Sequence, residues 1–140
     1  MVDKNIINIR IGKLHEYLGN LETLKKYPLE DFLNNLMIHS TAERQLQLAI
    51  ECIQDIATHI IADERLGVPE TNKDVYIFLS KAGIINNELA LKLADMAKFR
   101  NILVHDYIEL NLKTVFEIIQ LDLNDIILFV KHILKYMEKR

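Results

Sequence analysis

The sequence predicts an all-α protein, an up-and-down helical bundle of about five helices that occupies residues 1–140 as one domain and pairs as a homodimer. Three observations carry this expectation. Apolar residues recur at steps of three and four through almost every segment, which is the helical period. Only four Gly and two Pro interrupt the 140 residues. Polar residues suited to helix N-caps stand ahead of the periodic runs, and nothing between the runs reads as a hairpin.

In the first segment "INIRI" alternates like a strand, but Ile7, Ile11, Leu14, Leu18 and Leu21 continue at helical spacing. A helix is therefore expected from Asp3 to Lys26, ended by Pro28, with a short helix over "LEDFLNN" behind it. Ser40 and Glu43 match a capping box. The stripe that follows comprises Leu46, Ala49, Ile50, Ile53, Ile56, Ala57, Ile60 and Ile61, and should stop near Gly67, before Pro69. Thr71 with Asp74 can open a third, shorter helix through Phe78 and Leu79, with Gly83 as its left-handed terminus. Asn87 starts a fourth, through Leu91, Leu93, Ala94 and Ala97 into Arg100. Asn111 caps a fifth, which carries Phe116, Ile119, Leu123, Ile126, Ile127, Val130, Ile133 and Met137 to the C-terminus.

Some apolar residues fall off these stripes: Leu48 and Cys52 on the second long helix, and Ile118, Leu121, Leu128 and Phe129 on the fifth. A small bundle has difficulty burying two faces of every helix, so the surplus points to self-association about a two-fold axis. The plainer account is that a few of these residues are simply exposed.

Composition narrows the function classes. A chain of 140 residues can bury about 68–70% of its unfolded surface, enough for a real core. The net charge of −3 argues against coating duplex nucleic acid, though it leaves room for a local phosphate site. Cys52 is the one cysteine, which fits a reducing, cytoplasmic setting and a small buried hydrophobe. The N-terminus lacks the continuous apolar run of a signal peptide, and the longest such run, "IILFV", is far too short to span a membrane.

The usual catalytic signatures are missing. No two of His15, His39, His59, His105 and His132 are three or four apart, and there is no His-Glu-x-x-His and no cysteine pair. Asp55, His59 and Asp63 share a helix face, a row that is more often solvated than metal-bound; no metal and no cofactor are expected. Neither a phosphate-binding glycine loop nor a G-x-S-x-G serine occurs.

One stretch stands out: "FRNILVHDYIE", residues 99–109, sets Arg100, His105 and Tyr107 into an apolar segment. On a continuous helix Tyr107 shares a face with Arg100, whereas His105 lies about 140° around the axis. The three groups meet only if the helix ends or bends near Val104, or if two copies meet at an axis. Arginine forks onto phosphate oxygens, histidine moves protons near neutral pH, and a tyrosine hydroxyl can donate to a phosphate. The set suits phosphodiester cleavage in RNA, where the 2′-hydroxyl is a built-in nucleophile and no metal is strictly required. One base and one acid are needed; a chain offers one such histidine, and a symmetric dimer offers two. The same three residue types also occur as a helix cap with satisfied polar contacts.

"RNILVHDY" resembles the R-x4-H-x-Y signature of the HepT toxins of HepT/MntA toxin–antitoxin pairs, within the HEPN superfamily. "AERQLQLAIECIQDIATHIIA" resembles that family's long central helix, as does "KAGII" with the polar cap behind it, and the likeness spans most of the chain. The resemblance implies one HEPN-like helical domain over 1–140, a homodimer with a composite cleft, and a metal-independent endoribonuclease in which Arg100 and His105 are catalytic. It places Asn101 and Tyr107 at the substrate phosphate, with RNA, tRNA among the candidates, as substrate. It also implies an MntA-like nucleotidyltransferase antitoxin that AMPylates Tyr107. The competing expectation is a noncatalytic helical module that binds the nucleotidyltransferase and nucleotide.

Overall fold

The computed structural model describes residues 2–105 and 110–139, and these form seven helices: α1 (Lys4–Leu24), α2 (Leu29–Asn34), α3 (Leu36–Glu64), α4 (Asn72–Lys81), α5 (Asn87–His105), α6 (Leu112–Leu121) and α7 (Leu123–Glu138). The all-α expectation holds; the count of about five does not. α2 exists as a six-residue turn of helix behind Pro28. The expected fifth helix is two, because the chain breaks at Asp122, which ends α6 and begins α7 with φ −110° and ψ −2°.

α3 is the axis of the molecule. At 29 residues it is about 43 Å long, and it touches α1, α2, α4, α5 and α6. Its whole expected stripe is buried, from Leu46 to Ile61. α1 lies along it and buries Ile7, Ile11, Leu14, Leu18 and Leu21, the five positions its spacing picks out. Deleting one such side chain, Ile53 for instance (0% exposed), would cost about 2–5 kcal/mol.

α3 starts earlier than expected. Ser40 and Glu43 are not its capping box; Asn35 is the cap, and its side chain accepts from Met37 N and Ile38 N. Ser40 sits inside the helix, and Glu43 meets His39 Nδ1 at 3.3 Å. The first turn hid itself because Leu36 and Met37 face solvent, 66% and 77% exposed, and so add nothing to the buried stripe. At the far end Arg65 takes the left-handed conformation (φ 54°) and Gly67 follows at φ 138°. A Cβ on Gly67 would lie 3.0 Å from the Phe78 ring. Glycine is thus required there for both backbone and space.

α4 opens on the capping box expected at Thr71 and Asp74, with both reciprocal hydrogen bonds present. It closes through Gly83 at φ 77°. α5 folds back against α4, with Asn86 Oδ1 accepting from Leu89 N at 2.7 Å. Asn111 caps α6 as expected, accepting from Lys113 N.

The surplus apolar residues divide. Cys52 and Phe129 are core: Cys52 packs against α1, its Sγ 3.1 Å from Arg10 O, and the Phe129 ring meets Tyr76 edge-on at 6.3 Å. α7 is buried on more than one face because it touches α1, α5 and α6. Leu48 and Ile118 are half-buried, and Leu121 (73%) and Leu128 (44%) are exposed. No helix among the described residues is long and apolar enough to cross a membrane.

Candidate functional site

The site begins with α5. Leu89, Ala90, Leu93, Ala94, Met96 and Ala97 bury one face of it, and the small alanines let α5 lie close to α3 and α4. The helix continues without interruption through Arg100 and Asn101 to His105, after which the described residues resume at 110. No bend at Val104 turns the imidazole toward the guanidinium. The axial offset between Arg100 and His105 is about 7.5 Å, with a rotation of about 140°. His105 and Asn101 are exposed and Arg100 is half-buried. Tyr107 lies outside the described residues.

Arg100 turns toward α3, into a cleft of about 360 Å³ lined by Ile50, Glu51, Gln54, Asp55, Asn72 and Ala97. Ile50 and Ala97 are buried and make the apolar floor. Arg100 Nε donates to Glu51 Oε1 at 2.9 Å, and its Nη2 donates to the same oxygen. Nη1 donates to Asn101 Oδ1 at 3.3 Å. The side chains of Arg100 and Glu51 are 28% and 32% exposed, so the pair is neither fully wet nor sealed. Burial by itself would push the Glu51 carboxyl up. The hydrogen bonds from Arg100 and Gln47, with the charges of Arg100 and Arg44, outweigh it and hold Glu51 below the ordinary carboxylate value.

Beside the pair, Gln54 Nε2 donates to Asn72 Oδ1 at 3.2 Å. Gln54 Oε1 is buried and has no partner among the described residues. Sequence reasoning picked out Arg100 and missed its surroundings. Glu51, Gln54 and Asn72 reach it from α3 and α4 by tertiary packing. One signal was available: α3 carries apolar residues on two faces, so a glutamate between Ile50 and Cys52 had to be half-buried and partnered.

Asp55, His59 and Asp63 follow one another along α3, but among the described residues no group of three or more His, Cys, Asp or Glu gathers closely enough to hold a metal ion. The cleft instead offers a fixed guanidinium, two side-chain amides and two carboxylates, a set suited to hydrogen-bonding a polar ligand that carries a phosphate.

Comparison with known proteins identifies the family. The family profile described as "HepT-like: Ribonuclease HepT-like" matches residues 13–133. The chain is 32% identical over 136 residues to the tRNA nuclease HepT of Aphanizomenon flos-aquae, covering 97% of this chain and 92% of that protein. It is 34% identical over 99 residues to the mRNA nuclease HepT of Shewanella oneidensis, covering 71% and 74%. The solved structure of a tri-AMPylated Shewanella oneidensis HEPN toxin in complex with MNT antitoxin superposes with a TM-score of 0.85 at 30% identity, over 95% of this chain and 98% of that one. An unbroken α5 bearing the Arg100–His105 spacing, the long α3 beside it and the match over most of its length lead to one conclusion: this chain belongs to the HepT-like ribonuclease family.

Proposed function

We propose that this protein is the toxin of a toxin–antitoxin pair, an endoribonuclease that cleaves RNA at a composite site made by two copies of the chain. The observation that carries the reading is the straight run of α5 through Arg100 to His105. A rigid helix aims these two side chains apart, so a second copy is the simplest way to bring an imidazole and a guanidinium to one phosphate. The relatives named as tRNA and mRNA nucleases support the activity.

In this reading one His105 takes the proton from the RNA 2′-hydroxyl. The 2′-oxygen attacks the adjacent phosphorus, and the partner copy's imidazole protonates the departing 5′-oxygen. The strand breaks with a 2′,3′-cyclic phosphate on one side and a 5′-hydroxyl on the other. Arg100 steadies the charge that builds on the phosphorane. Asn101, beside it on α5, adds an amide to the phosphate contact. Because the nucleophile belongs to the substrate, the reaction runs without a metal, and chelation with EDTA should leave the rate unchanged.

The control is AMPylation of Tyr107 by a partner nucleotidyltransferase, a reading supported by the tri-AMPylated toxin bound to its MNT antitoxin. Two residues past His105, an AMP would set negative charge where the substrate phosphate must lie.

The net charge of −3 favours a second reading, a noncatalytic module that docks the nucleotidyltransferase. Arg100→Ala and His105→Ala, each produced without a partner, separate the two. Both variants should lose RNA cleavage and growth inhibition while keeping the parent's melting temperature. Cleavage undiminished in both takes the nuclease assignment away from this motif, and a parent inert toward RNA leaves the docking module.

A further inference from the structure

The Arg100 guanidinium is already partly used. It carries five N–H donors, one on Nε and two on each terminal nitrogen. Glu51 Oε1 accepts from Nε and from Nη2, and Asn101 Oδ1 accepts from Nη1. One N–H therefore remains on Nη1 and one on Nη2. The Nε–Nη2 side of the fork is closed, and its terminal end is the part left for a ligand. Since the group is planar and rigid, fixing one side fixes the direction of the other.

Glu51 is itself held. Gln47, one turn earlier on α3, donates Nε2 to the same Oε1 at 3.3 Å. Ile50 and Ile53 on either side are 1% and 0% exposed, which anchors this stretch of α3 in the core. The carboxylate thus sits on a rigid element, and the packing of α3 on α5 sets its distance to Arg100.

We propose that Glu51 is a positioning residue for RNA cleavage, an inference that rests on the nuclease reading above. It clamps the Nε–Nη2 edge of Arg100 so that the Nη1–Nη2 end meets the scissile phosphate as charge builds on it. The carboxylate offsets the charge of Arg100 at long range, so the pair does little to draw RNA in. At contact range two aimed N–H groups still stabilise the phosphorane. The clamp accordingly acts on kcat and hardly on KM.

The chemistry also predicts a graded series. All the bonds to Glu51 converge on a single oxygen, Oε1. A glutamine carbonyl can accept them too, without the charge, whereas alanine releases the guanidinium altogether.

The test is steady-state cleavage of bulk tRNA or an mRNA transcript, whichever the parent cuts faster, by the full-length parent, Glu51→Ala, Glu51→Gln and Arg100→Ala. Glu51→Ala should lower kcat about 30- to 100-fold, the scale of a misplaced catalytic group, with KM within about threefold of the parent. Glu51→Gln should recover kcat to within about tenfold of the parent. Parent-level kcat in Glu51→Ala while Arg100→Ala is inert overturns the clamp and leaves the nuclease reading intact. A higher kcat with a lower KM also overturns it, because Glu51 would then compete with the phosphate. If Arg100→Ala cuts like the parent, Arg100 is not part of the cleaving site and the clamp falls with it; a parent inert toward RNA is what removes the nuclease reading itself. Side-chain 15N spectra of the parent give a measurement that no unfolded variant can spoil: rotation about the Arg100 Nε–Cζ bond should be hindered, and free rotation overturns the clamp.

Discussion

Arg100 and His105 stand on one unbroken helix, five residues apart, with the first turned into the α3 cleft and the second exposed. The geometry asks different things of the two side chains. In the proposed reaction Arg100 acts as a fork held at one edge and His105 carries the proton.

Arg100→Lys tests the fork. Lysine keeps the charge and loses the planar set of donors that Glu51 and Asn101 hold. We expect RNA cleavage to fall about 10²- to 10³-fold, the usual loss when one aimed donor is removed from a charge-stabilising site. The melting temperature should barely move, since a partly exposed ion pair contributes about 0–1 kcal/mol. A rate within tenfold of the parent would mean that charge alone suffices.

Glu51 provides a test in the pH dimension. Its carboxyl is held below the ordinary carboxylate value despite burial, chiefly by the Arg100 hydrogen bond. A depressed folded-state pKa contributes stability that is present above the unfolded value and lost as pH falls through the folded one. The pair should therefore hold at pH 5 and weaken only below the ordinary carboxylate range. A carboxyl 13C titration should place Glu51 below its reference value in the parent. In Arg100→Ala burial is opposed by Gln47 and Arg44 alone, so the midpoint should rise. An unchanged midpoint would sever the electrostatic link between the two residues.

Local pattern revealed the buried stripes of α1 and α3, the Thr71–Asp74 box and the Asn111 cap, because each depends on residues within one or two turns of one another. It failed where the answer depends on tertiary packing or on a break that no local residue marks. Leu121 and Leu123 keep the apolar period running across Asp122, with neither Gly nor Pro to mark the break between α6 and α7. Arg100 could be named from its motif, but its partner Glu51 lies 49 residues away and is brought there by helix packing. Phe129 looked like surface to spare until α7 took a position with neighbours on several sides.

Tyr107 carries the prediction about control. Incubation with the cognate nucleotidyltransferase and ATP should add AMP-sized mass to the peptide holding Tyr107, and cleavage should fall in step with that mass. Tyr107→Phe should escape both effects. Modification at another residue, or inhibition without added mass, would remove the switch from Tyr107.

Tyr76 addresses the core. It is fully buried, its hydroxyl has no partner among the described residues, and burial pushes its pKa far above the usual phenol value. An unsatisfied buried hydroxyl costs about 1–3 kcal/mol. Tyr76→Phe keeps the edge-on contact with Phe129 and removes that cost. Urea unfolding should show it neutral or more stable by about 1 kcal/mol. A loss of that size would reveal a hydrogen bond on the hydroxyl.

Asp122 is the last case, and its sign runs opposite to that of Glu51. The residue is the C-cap of α6 and the N-cap of α7, and its side chain makes no capping hydrogen bond. The end of one helix repels its charge while the start of the next attracts it, so the two dipole ends largely cancel. Burial, and then the charge of Asp125, raise its pKa above the ordinary aspartate value of 3.8, with Lys92 opposing. A raised folded-state value means that stability declines as pH rises from the unfolded value through the folded one. Asp122→Asn removes the charge, keeps the shape and leaves Lys92 to Asp125, 3.8 Å away. At neutral pH it should raise the melting temperature by about 2–4 °C. Below pH 3.8, where the parent's Asp122 is protonated as well, the gain should vanish. A gain that persists in acid would assign the effect to shape, and a loss at neutral pH would mean that the carboxylate supports the start of α7.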